Sequence, residues 1–91
     1  MTIRRAVAGD AEPLRVLAAL DEEPELAGGA LLAEVEGELW AAVALADGRV
    51  LADPFRPTRG VRDLLELRRR ELLGAGSRPR RLRLLGHRLA A

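Results

Sequence analysis

The 91-residue chain has no cysteine, a single histidine and 48% hydrophobic residues, which suits one small domain, residues 1–91, and leaves no room for a second. That composition excludes disulfides and thiolate-ligated zinc, His87 alone builds no metal site, and no apolar run reaches the roughly 18–20 residues of a membrane span. The formal net charge of +1 hides an asymmetry: Met1 to Asp47 carries 3 Arg against 10 acidic residues, or −7, while Gly48 to Ala91 carries 12 Arg against 4, or +8.

Thr2-Ile3-Arg4-Arg5-Ala6-Val7 alternates weakly and predicts a first strand. Asp10 then stands where a helix N-cap belongs, with Glu12 and Pro13 in the first turn and Leu14, Leu17 and Ala18 on an apolar face. This helix is expected to end near Leu20. Asp21 to Gly29 follows as an acidic connector broken by Pro24, Gly28 and Gly29, with room for one short turn at most. Three short apolar runs come next, Leu31 to Glu38, Leu39 to Leu45 and Arg49 to Phe55. Asp47-Gly48 between the last two predicts a two-residue hairpin in which both positions take positive φ. The runs therefore form a three-stranded antiparallel meander, with Trp40 in the core.

Arg56-Pro57-Thr58 gives a turn and a second N-cap at Thr58, and Val61, Leu64, Leu65, Arg68 and Leu72 recur at helical spacing. Glu66 and Arg70 make an i,i+4 pair, and Gly74-Ala75-Gly76 is expected to stop the helix. Arg81-Leu82-Arg83-Leu84-Leu85 alternates and predicts a fifth strand within a basic C-terminal strand or tail, residues 77–91. The expected class is α+β, a mostly antiparallel sheet of four to five strands with two main helices. The acidic, proline-containing opening lacks the apolar core of a signal peptide, so the expected location is cytoplasmic.

The element order, with the opening Thr2-Ile3-Arg4-Arg5-Ala6-Val7-Ala8-Gly9-Asp10-Ala11, resembles the N-terminal part of the GNAT superfamily of N-acetyltransferases. Ala33-Glu34-Val35-Glu36-Gly37-Glu38 looks like that family's second strand and turn, and Asp53 to Val61 looks like its junction of fourth strand and third helix. The resemblance covers nearly the whole chain and implies a truncated GNAT fold, without the family's last helix and final strands. In the family, small residues in the loop entering the third helix let backbone N–H groups approach the pyrophosphate of acetyl-CoA. Here Arg59 and Val61 stand in the places of those small residues, and Pro57 removes a donor. By resemblance Arg56, Arg59, Gly60 and Arg62 are the candidate cofactor-binding residues, and Asp53 is the candidate catalytic carboxylate; Glu34 and Glu36 read as the solvent side of a strand. The chain has no Tyr to serve as the acid that the family commonly uses.

These readings lead to a non-catalytic GNAT-like interaction or regulatory module that self-associates, with no cofactor, no metal and no membrane. Its expected partner is a second copy or another protein chain. One alternative is an acyl-CoA-dependent N-acyltransferase completed by dimerisation. Another is a basic nucleic-acid-binding protein acting through Arg78, Arg80, Arg81 and Arg83, although the aromatics Trp40 and Phe55 lie far from them in sequence. The −7 and +8 halves are expected to neutralise each other within the fold or across a dimer, the acidic connector of one copy near arginines of another.

Overall fold

The computed structural model describes the backbone of residues 1–90 and the side chains of residues 1–74. Its elements are β1 (Thr2–Arg5), a single 3-10 turn (Ala8–Asp10), α1 (Ala11–Leu20), β2 (Ala30–Val35), β3 (Glu38–Ala44), β4 (Val50–Ala52) and α2 (Arg59–Ala90). The four strands form one antiparallel sheet in the order β1-β2-β3-β4. The expected α+β class, with an antiparallel sheet and two helices, is what the chain adopts. No described helix is long and apolar enough to cross a membrane.

A helix covers each face of the sheet. Leu17 and Ala18 of α1 pack with Ala30, Leu32, Ala42 and Leu51 on one side. Val61 and Leu65 of α2 pack with Leu31, Ala33, Ala41, Val43 and Ala52 on the other. Strands buried on both faces cannot alternate apolar with polar residues, which is why β3 reads as the unbroken Ala41-Ala42-Val43-Ala44, each at most 2% exposed. The pairing of β2 with β3 slips between Ala33 and Glu34, so that Ala33 pairs with Ala41 and Glu34 with Leu39. Trp40 is the extra residue of this β-bulge. It joins Ala41 on the α2 side, while Leu39 turns to the α1 side.

Two local expectations are corrected. The two-residue turn is Glu36-Gly37, whose φ values of 51° and 81° fit the left-handed positions of a type I′ hairpin. At Asp47-Gly48 only Gly48 has positive φ, 77°, and the connection is longer: the Gly48 N–H donates to Ala44 O at 3.0 Å, and the Asp47 Oδ1 accepts from the Arg49 N–H at 2.9 Å. An aspartate that bonds two residues ahead closes a wider loop without needing positive φ itself. Asp10 occupies the N-cap position of α1 but makes no side-chain cap bond; its carboxylate turns back to Val7 and Arg4.

The second helix also outruns the sequence reading. It starts after Thr58 as expected, yet its backbone continues through Gly74-Ala75-Gly76 and through Arg81 to Leu85, where a fifth strand was expected. Gly74, Gly76 and Pro79 oppose a helix by roughly 1, 1 and 3 kcal/mol, but Arg, Leu and Ala, which dominate the segment, are strong helix formers, and five alternating residues are a weak strand signal. Among the described residues the ion pair along α2 is Arg68 with Glu71 at 3.9 Å, not Glu66 with Arg70. The expected roles of Arg78, Arg80, Arg81, Arg83, Leu84, Leu85 and His87 lie outside the described side chains.

A Cβ built on Gly48 lies 3.1 Å from Arg69 Nη1, and Arg69 Nε donates to Leu45 O at 3.0 Å across the same loop. Gly48→Val should therefore lower unfolding free energy by about 1–2 kcal/mol from the left-handed backbone alone, read as a lowered midpoint in thermal or urea unfolding.

Candidate functional site

The end of β4, the loop after it and the first turn of α2 hold all of the candidate site residues, and their side chains divide into two groups. Asp53 is 9% exposed and its backbone N–H donates to Trp40 O at 2.9 Å, extending the β3–β4 ladder by one bond. Its Oδ1 accepts from the Phe55 N–H at 2.9 Å, and its Oδ2 lies 3.7 Å from Arg56 Nε. Asp53 thus fastens the turn through Pro54, a structural use common for Asp before Pro. Arg56 folds back over β3, where it pairs with Glu38 and stands 5.3 Å from the centroid of the Trp40 ring. A guanidinium over an indole face, paired with a carboxylate on the same strand, is engaged within the chain although its side chain stays 38% accessible.

Arg59, Gly60 and Arg62 form the second group, all exposed on the first turn of α2. The Arg59 and Arg62 side chains make no hydrogen bond or ion pair among the described residues. A Cβ on Gly60 would meet nothing within 4 Å, so the glycine marks no close approach of backbone to a neighbour. The structure brings Asp53 and Arg56 together but leaves the three helix residues facing outward. Trp40, half-buried on this corner, keeps an indole Nε1 that is buried and without a hydrogen-bond partner.

The better-built polar constellations lie elsewhere and were not foreseen. Arg4 on β1 is bidentate to Asp10, with Nη1 to Oδ2 at 2.9 Å and Nη2 to Oδ1 at 2.8 Å, and it also donates to Glu34 on β2 from Nε at 3.2 Å and Nη2 at 3.1 Å. Glu34 pairs with Thr2 in the ladder and so sits diagonally across from Arg4 on the same face. The Arg4 guanidinium, helped by the Val7 N–H at 2.7 Å, holds the Asp10 carboxyl down to about 2, and the two carboxylates raise Arg4 in turn. Glu34, read from sequence as a solvent-side residue, is half-buried in this cluster.

The acidic connector is tied to its own chain. Arg49 donates to the carbonyls of Pro24 and Glu25 at 2.7 Å each and lies 3.9 Å from Glu23. Asp21 Oδ2 accepts from the Ala52 N–H at 3.1 Å at the outer edge of β4. The opposed charges of the two halves meet within the fold at Arg49 and at the Arg56–Glu38 pair. In sequence this shows only as overall charge, since Arg56 and Glu38 are 18 residues apart and Arg49 and Glu23 are 26 apart.

No family model, curated protein or solved structure matches this chain.

Because the Asp10 pKa is depressed from 3.8 to about 2, its ionised carboxylate contributes stability that is fully present above the ordinary carboxylate range and is lost as pH falls from about 4 toward 2. Asp10→Asn should be less stable than the wild type at pH 7, and the difference should shrink across that acid window in urea unfolding series.

Proposed function

We propose that this chain is a non-catalytic interaction module of GNAT-like arrangement that binds protein chains, a second copy among them. The observation that carries this reading is the internal engagement of the corner where the resemblance would put cofactor and chemistry. Asp53 fastens its own turn, Arg56 is held by Glu38 and Trp40, and Pro57 offers no N–H. A base must reach its substrate proton, and phosphate needs convergent donors. Here the carboxylate is spent on the backbone and the free arginines point outward.

Support for a binding role comes from the apolar side chains left uncovered. Leu67 and Leu73 are 41% and 45% exposed on α2, Leu64 and Leu72 are 38% and 39%, and Phe55 on the preceding loop is 81% exposed. Leu64 and Leu67, three residues apart, adjoin on one face of α2, and a contiguous exposed apolar patch marks a contact surface. Leu67 lies away from the sheet-facing row of Val61 and Leu65, which makes it the natural centre of a self-contact.

Two measurements follow. Acetyl-CoA titrated calorimetrically should bind no better than about millimolar, or about −4 kcal/mol; a dissociation constant below about 10 μM would overturn the non-catalytic reading. Light scattering at micromolar concentration should give twice the 9.9 kDa chain mass, and Leu67→Glu should return it to the single mass; a wild-type monomer at every concentration removes self-association.

A further inference from the structure

Beside β1 the sheet is unfinished in two ways at once. Helix α2 packs on β2 and β3, leaving the α2-facing side of β1 as the floor of an open groove of about 490 Å³. Ile3 and Leu31 form the floor, Leu72 the wall, and Arg5, Arg68 and Glu71 the rim. The strand itself ends the sheet. Ala6 N–H donates to Ala30 O, and with Arg4 opposite Leu32 this sets the alternation: the backbone groups of Thr2 and Arg4 point at β2, those of Ile3 and Arg5 away from it. Arg5 O is taken by Arg4 Nη1 at 3.2 Å. The Ile3 and Arg5 N–H groups and the Ile3 carbonyl have no partner among the described residues.

Resting on the interaction-module reading above, we infer that this edge and groove form a docking site for an extended, acidic segment of a partner protein, added to the sheet as a strand beside β1. Main-chain bonds to Ile3 and Arg5 supply register, and the groove reads alternate side chains. The charge decides the chemistry of the occupant. Arg4 is consumed by Asp10 and Glu34, and Arg68 is only loosely paired with Glu71 at 3.9 Å, while Arg5 makes no ion pair among the described residues. The rim therefore carries a surplus positive charge. An acidic residue opposite Arg5 and an apolar residue two positions on, opposite Ile3, match it. A second copy does not: two-fold pairing of β1 with itself would gather two Arg5 and two Arg68 around two Glu71, a surplus of like charge in one shared groove.

The probe is the blocked peptide acetyl-Ser-Glu-Thr-Val-Thr-Glu-amide, with a control in which both glutamates are lysine, titrated into the ¹⁵N-labelled full chain. The acidic peptide should slow amide exchange at Ile3 and Arg5, shift Arg68 and Leu72, and bind at least tenfold more tightly than the lysine control. The double variant Arg5→Glu, Arg68→Glu, whose sites are exposed and whose fold the same spectra verify, should reverse that preference. Equal binding of the two peptides, shifts without protection at Ile3 and Arg5, or no binding overturns the proposal. So does protection of those amides without peptide at doubled mass, which would give the edge to a second copy. Acetyl-CoA added to the same sample separates this result from the broader reading: shifts confined to residues 56–62 would sink the non-catalytic module and leave the groove result standing, whereas absent peptide protection with no such shifts sinks the groove alone.

Discussion

Strand β3 is clamped between two helices, and most of the rest of the fold answers to that confinement. Ala41, Ala42, Val43 and Ala44 leave almost nothing exposed on either face, and three of the four are alanine. Small side chains let α1 and α2 lie close against the sheet, but they contribute little apolar area each. The weight falls on a few larger residues, Leu32, Leu51, Leu65 and Val43, which are the largest fully buried side chains. Deleting a buried leucine typically removes about 2–5 kcal/mol, a large share of what a domain of this size has. Polar fastening at the periphery, Arg4 with Asp10 and Glu34 on one side and Arg49 with the acidic connector on another, holds in place the segments that the thin core reaches least.

The legible parts of the sequence were those whose signal is local and repeated. The first helix ends at Leu20 as its apolar face predicts, the connector forms no regular element, and β2, β3 and β4 fall where the short apolar runs place them. What misled was punctuation. Asp47-Gly48 and Glu36-Gly37 are both an acidic residue followed by glycine, and the dipeptide alone does not say how many residues the strands leave unpaired. Pairing of Val35 with Glu38 leaves two and forces a left-handed Glu36; the Ala44 N–H bond to Arg49 O leaves the longer stretch from Leu45 to Gly48 between β3 and β4. Gly74 and Gly76 signal a stop because they lower helix propensity, yet a penalty of about 1 kcal/mol each is not a barrier when the flanking residues favour the helix.

The candidate site was legible as residue types and illegible as chemistry. Arg56, Arg59 and Arg62 looked equivalent in sequence, three cations at spacing three. Glu38 and Trp40 on a strand made earlier in the chain single out Arg56, and nothing near Arg59 or Arg62 does the same. Asp10 is a comparable case. A helix start explains an aspartate so readily that the more demanding partner, an arginine six residues before it on β1, went unread. Charge asymmetry between the halves was visible at once, but only the fold shows that Arg49 and Arg56 spend part of it internally.

The β-bulge at Trp40 makes the phase of the sheet a matter of a single residue. On the Leu39 side of it, odd-numbered positions of β3 face α1; on the Ala41 side they face α2. A chain lacking Leu39 would keep an ordinary ladder, but Trp40 would then stand opposite Glu34 on the α1 side and Arg56 would lose the indole beneath it. The corner between β4 and α2 is thus written into the length of the strand as much as into its composition, and a reading frame of side chains, once slipped, would leave the backbone unaware of the error.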